Sequence, residues 1–323
     1  MSSVSARRGV HGVCRALTVE DGLLRIVVLG AAAGGGFPQW NANNEACRRA
    51  RGGDPAARPR TQCSIAVSGD DESWIVVNAS PDLRQQIEAR PMLQPRRGLR
   101  DTPIAAVVLT GGEVDAVAGL LHLRESQGFM LFATGRVQEA LRANPIFNAL
   151  SPAFVRRQSV GLGRPFDLPG GVVAELFSVP GKVALYLERE NADLSGQAED
   201  TVGLRLSGRT GSACYFIPGC AHLPADVAQR LRGADLVFFD GTLWTDDEMI
   251  REGSGSKTGG RMGHMSVADP HGAIEAFRDL DVRRKVFIHI NNSNPMLLDD
   301  SPERAVAAQA GWEVAHDGME IVL

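Results

Sequence analysis

Short apolar runs broken by polar, glycine-rich turns dominate this chain, and stretches of helical period recur only at intervals. Residues 24–29 form the first clear strand. Residues 61–67 and 74–78 flank Gly69-Asp70-Asp71 and predict a hairpin. Ser80, with Pro81 behind it, predicts the cap of a short helix reaching Ala89. Residues 104–109 are a further strand, and a polar turn holding Glu113 and Asp115 leads from it into a helix over 117–124. Later strands are expected at 130–133, 172–179, 201–206 and 214–217, with helices near 136–143 and 224–231. Two strongly apolar strands follow, 236–240 and 285–292, then a helix opened by Ser301-Pro302-Glu303 and a last strand over 320–323. Strands outnumber helices, which predicts an α/β (α+β) fold: an αββα sandwich of two sheets with helices outside.

Composition narrows the class. A chain of 323 residues, 44% hydrophobic and 22% charged, is long enough for a full core and has an ordinary globular balance. Residues 1–22 carry Arg7 and Arg8 but no apolar segment behind them, so they are expected to be a disordered leader before one domain over 23–323. A net charge of -4 gives no sign of a nucleic-acid partner, and the arginines between Arg48 and Arg60 are expected to form a solvated face. No apolar run approaches a membrane span. The five cysteines are odd in number and scattered without a CxxC pair, which points to reduced thiols in a cytoplasmic protein. Oligomeric state is left open, a homo-oligomer included.

The candidate chemistry concentrates in residues 234–292. One strand stops at Asp240 and another delivers His289, Asn291 and Asn292 at its tip, while a glycine-rich loop over 253–260 leads to His264. Strand ends are where such scaffolds place chemistry, so Asp240, His264 and His289 are expected to share a pocket. The alternative is that the first and last only terminate strands. Near the amino end, Gly34-Gly35-Gly36 follows a strand without a helix behind it, which allows a tight turn or close approach to a ligand. The twenty residues after it read as an irregular excursion.

Several of these stretches together resemble the pyrroloquinoline quinone (PQQ) biosynthesis protein B family. They are residues 34–41 (GGGFPQWN), Pro59-Arg60-Thr61-Gln62, Asn78-Ala79-Ser80-Pro81-Asp82, Asp240-Gly241-Thr242, Met262-Gly263-His264, and 289–295 (HINNSNP). The resemblance implies a metallo-β-lactamase-type sandwich and a cytoplasmic step in making PQQ from a peptide precursor. That step looks like an Fe(II)- and oxygen-dependent hydroxylation of a tyrosine-derived group; an older proposal is PQQ export. It further implies metal ligation by Asp115 and His289, with Glu113 a possible addition, and proton handling by Asp240 and His264. Ligand contacts are implied for Gly35, Gly36, Gln39, Trp40, Asn78, Ser80, Thr242, Asn291 and Asn292.

Two departures bear on metal. Where the family usually keeps an Asp-His pair, this chain has Asp115-Ala116, a methyl group in place of an imidazole. A facial ferrous site uses two imidazoles and one carboxylate, so this predicts a weakened iron site. Glu113 and Asp115, two residues apart on an extended segment, would point to one side and could share the load. His122, on the following helix, is the less favoured substitute. Where family members carry a CxCxxC cluster, residues 41–47 keep only Cys47, so structural zinc is expected to be absent. The alternative function is a non-catalytic binding or carrier protein for PQQ or a precursor.

Overall fold

The computed structural model describes residues 22–187 and 197–323. All of the expected leader except Gly22, and part of the charged segment 182–200, lie outside them. Among the described residues, fourteen strands form two seven-stranded sheets. The first holds β1 (Arg25–Gly30), β2 (Ser64–Ser68), β3 (Trp74–Val77), β4 (Ile104–Val108), β5 (Phe129–Ala133) and β6 (Val155–Ser159). The second runs in the order β7 (Phe166–Leu168), β8 (Val172–Ser178), β9 (Val202–Ser207), β10 (Ala213–Ile217), β11 (Leu236–Asp240), β12 (Arg284–Ile288) and β13 (Trp312–Val314). β14 (Glu320–Val322) returns to the first sheet and pairs antiparallel with β1. β3 to β6 and β10 to β13 are parallel, while the remaining pairings are antiparallel.

Alternation along the strands divides the apolar residues into three layers. Inward faces meet in a central core, Ile26, Val28, Ile65 and Val108 from one sheet against Leu204, Phe216, Phe238 and Ile288 from the other. The outer face of the first sheet, with Trp74, Val107 and Leu131, is covered by the helices Leu83–Glu88 and Gly135–Ala143. The outer face of the second, with Val237, Phe239 and Phe287, lies under Ala225–Leu231, Ala273–Ala276 and Pro302–Gln309. This is the expected αββα layering. On that outer face Trp312 stacks on Phe287 at 3.9 Å between centroids and 8° between planes. Among the described residues no helix is long and apolar enough to cross a membrane.

The local differences have local causes. The arginine-rich stretch after Asn41 is partly helical, Glu45–Arg51, because Asn44 Oδ1 accepts from the Cys47 amide, Glu45 opens the helix and Arg48, Arg49 and Arg51 close it. Its far end is not a solvated face: Arg60 is 3% exposed and donates to the Ala315 and Leu297 carbonyls. Ser80 does not cap the next helix, which begins at Leu83. Its hydroxyl is buried, accepting from the Asp82 amide and donating to Gln86. The helix expected over 117–124 starts at Val114 and tightens into a 3₁₀ turn, Ala118–Leu123. β6 goes unpredicted because as an edge strand it buries only Val155, and β7 and β13 because each has three residues.

Candidate metal centre

The parallel halves of both sheets point their carboxyl ends at one rim, where open α/β sheets place ligands. β4 feeds the turn holding Glu113 and Asp115, β11 ends at Asp240, and β12 delivers His289. Two non-glycine residues at these strand ends take left-handed backbone, Asn78 (φ 60°) and His289 (φ 60°). Each is held there by hydrogen bonds. Asn78 exchanges two with Thr110, and the His289 carbonyl accepts from Thr242 Oγ1 at 2.9 Å. Such backbone persists only where the surroundings over-determine it.

These ends meet at a cavity of about 450 Å³ whose lining includes Gly34, Gly35, Cys63, Asn78, Asp115, Ala116, His264 and His289. Asp115 Oδ2 lies 2.9 Å from His289 Nε2, and Asp240 Oδ2 lies 2.7 Å from His264 Nδ1. The two rings stack at 5.2 Å and 18°. Donor atoms of Asp240, His264 and His289 all lie within 4.8 Å of one another. Behind them Thr242 Oγ1 touches Asp240 Oδ1 (2.7 Å), His289 Nδ1 (2.9 Å) and His264 Nδ1 (3.1 Å). Asp240 is fully buried and also accepts from the Cys220 and Thr242 amides. With Nδ1 of His264 engaged by Asp240, its tautomer is fixed and Nε2 is left for another partner.

The electrostatics follow from these contacts. Burial acts to lower the His289 pKa, but the Asp115 hydrogen bond and the charges of Asp115, Asp240 and Glu113 outweigh it and hold the ring above its ordinary value. Burial acts the other way on Asp115, and the His289 hydrogen bond and charge bring its carboxyl below the usual range. Glu113 is raised by burial, against the attraction of Lys182. The Cys63 thiol, in the cavity wall, is pushed well up by burial and then by Asp115 and Asp240.

Comparison with known proteins decides the family. The chain is 62% identical over 307 residues to the coenzyme PQQ synthesis protein B of Gluconacetobacter diazotrophicus, covering 93% of this chain and 99% of that one. Its counterpart from Xanthomonas oryzae pv. oryzae is 54% identical over 301 residues, covering 93% and 100%. The chain belongs to the coenzyme PQQ synthesis protein B family. Residues 73–290 also match the beta-lactamase superfamily domain. A crystal structure of zinc-bound PqqB from Methylobacterium extorquens superposes with a TM-score of 0.90 at 48% identity, over 92% of this chain and 99% of that one. A diphosphatase of the PhnP family shares the fold, with a TM-score of 0.67 at 19% identity over 93% and 97%.

In this member of the PQQ synthesis protein B family, several residues expected to touch ligand stand elsewhere. Trp40 is 86% exposed and outside the cavity lining. Gln39 Oε1 accepts from Asn292 Nδ2 at 2.7 Å, Asn44 donates to the Asn292 carbonyl, and Asn291 donates to Ser293. These amides tie the loop after the glycines to the turn after His289. Gly35 lines the cavity, its amide held by Gln62 Oε1, whereas Gly36 lines a separate cleft with Arg60 and Asp317. Ser80 is buried behind the site, and Thr242 supports it from below. Glu113 does not extend alongside Asp115. It precedes the helix that carries Asp115 and turns to Lys182 Nζ (3.7 Å) and the Leu185 amide (3.3 Å). His122 bonds the Pro81 carbonyl, outside the cavity lining. Cys63, Thr110, Lys182 and Lys257 line the cavity without having been singled out. For Lys257 the glycine-rich loop was the available signal; Cys63 and Lys182 carried none.

Proposed function

We propose that this chain carries out an Fe(II)- and oxygen-dependent hydroxylation of a tyrosine-derived precursor in PQQ synthesis, at this cavity and in the cytoplasm. One observation carries the reading: His264, His289 and Asp115 line the cavity side by side, the two rings stacked, with the buried Asp240 bonded to His264 from outside the lining. This donor set fits a non-haem ferrous site even though Ala116 supplies no ligand. Asp115 and His289 would hold the iron, joined by His264. Iron bound there would supply the oxygen-activating chemistry. The chain's own groups do the rest. Asp240 and Thr242 orient the two rings, Asp240 holds the proton on His264 Nδ1, and the cavity walls shield the precursor from water.

A second reading, a non-catalytic carrier of PQQ or a precursor, is favoured by the methyl of Ala116, which supplies no ligand where an imidazole would. Anaerobic reconstitution separates the two. Stoichiometric iron with oxygen uptake on precursor supports the hydroxylase; no iron uptake alongside saturable PQQ binding refutes it and supports the carrier.

A further inference from the structure

We infer that residues 182–187 form a strap across the mouth of the cavity, with Tyr186 as its latch, and that ligands enter when the strap lifts. The strap is independent of which reading of the cavity holds, since a hydroxylase and a carrier both need a ligand to enter.

The mouth is marked by the exposed lining residues, among them Gly34, Val114 and Leu185. The strap reaches it from a root where the chain leaves β8. There the Pro180 carbonyl accepts from the Ala221 amide at 2.7 Å, Thr201 Oγ1 donates to the Lys182 carbonyl at 3.1 Å, and a Cβ on Gly181 would run into the Thr201 side chain. Beyond this root residues 184–187 join neither sheet. They close into a 3₁₀ turn, Leu185–Leu187, in which the Leu187 amide donates to the Ala184 carbonyl at 2.8 Å.

Across the mouth the strap meets the turn that leads into the helix carrying Asp115. Tyr186 Oη donates to the Gly112 carbonyl at 2.8 Å, and the Leu185 amide donates to Glu113 Oε2 at 3.3 Å. Glu113 Oε1 also lies 3.7 Å from Lys182 Nζ. Contact is close here, because a Cβ on Gly112 would come 3.4 Å from the Tyr186 hydroxyl and 3.9 Å from the Ala184 Cβ. The Tyr186 and Leu185 bonds each pair a side chain with the main chain, so they can part without breaking a strand pair. Leu185, Tyr186 and Leu187 are 59%, 41% and 38% exposed. Segments with few buried apolar contacts and exposed hydrogen bonds open at far less free energy than the whole fold.

Cys63 supplies the readout, since it lines the cavity, is 3% exposed, and meets a reagent from solvent through the mouth. The full-length protein is treated with N-ethylmaleimide and the modified cysteines are located by peptide mass spectrometry. Cys214, fully buried in the central core, reports global unfolding in the same digest. Tyr186→Phe, which removes only the latch hydroxyl, should speed labelling of Cys63 roughly five- to ten-fold and hasten amide hydrogen exchange over residues 182–187, with Cys214 unchanged. A paired variant, Gly112→Cys with Ala184→Cys, sets two Cβ atoms 3.9 Å apart, within disulfide range, and so locks the strap. Oxidised, it should slow Cys63 labelling by roughly ten-fold or more, and reduction should restore a rate near that of the wild type. Equal labelling in the wild type and Tyr186→Phe overturns the latch. Equal labelling with the lock closed and open, or a pair that forms no disulfide, overturns the strap. So does parallel acceleration at Cys214, which would mean that the reagent enters by unfolding of the whole chain.

Discussion

Glu248 is the acid whose burial should be most legible in solution. It is 7% exposed, accepts from the Trp244 amide and Ser293 Oγ at 2.6 Å each, and burial pushes its carboxyl from 4.5 up to about 7. A carboxyl raised on folding binds its proton more tightly in the native state, so its contribution to stability is full below about 4.5 and is lost as pH rises through about 7. The displacement is about 2.5 units, or about 3 kcal/mol at 1.36 kcal/mol per unit. Glu248→Gln mimics the protonated acid, with a carbonyl for the Trp244 amide and a donor for Ser293. Urea unfolding of both proteins from pH 5 to 8.5 should give curves that converge at the acid end and diverge upward. By pH 8 the variant should be the more stable by up to about 3 kcal/mol, on the order of 5 °C in Tm for a chain of this size. Parallel curves would show that the carboxyl titrates normally in the fold.

Ala116→His should raise Fe(II) affinity by roughly ten-fold or more in anaerobic titration if position 116 faces the donors; an unchanged affinity would mean that it does not. Asp240→Ala removes the acceptor of four hydrogen bonds from a fully buried site and should destabilise the chain by about 3–5 kcal/mol in urea unfolding, whereas a loss under 1 kcal/mol would mean that water replaces it. Trp312→Ala should lower stability by about 3–5 kcal/mol, because its ring packs on Phe287 under the carboxyl-terminal helix. A normal Tm would contradict that packing.

The fold was readable because both sheets bury both faces. Leu236–Asp240 is apolar up to its last residue and Arg284–Ile288 is apolar after its two leading cations, so the polar residues at their far ends stand out. The same contrast exposed Asp240, His264 and His289. It could not separate residues that touch the cavity from those that hold it in shape. Gln39, Asn291 and Asn292 have the polarity of ligand contacts but spend it on the protein: Asn291 on the nearby Ser293, and Asn292 on Gln39, a partner 253 residues away that no local pattern records. The direction of Glu113 was not legible for a related reason. Whether Glu113 and Asp115 share a direction depends on whether the segment is extended or helical, and the turn after β4 becomes helical at Val114.

The Thr242 hydroxyl has four polar neighbours, two ring nitrogens, a carboxylate oxygen and a carbonyl, but only one hydrogen. The carboxylate and the carbonyl can only accept that hydrogen, so an imidazole that does not receive it can meet the hydroxyl only as a donor. With the His264 Nδ1 proton held by Asp240, a proton arriving at His289 Nδ1 turns the hydroxyl's hydrogen towards an oxygen acceptor, a rotation that needs no backbone movement. Thr242→Val, nearly the same shape without that rotor, would leave the two rings to respond independently.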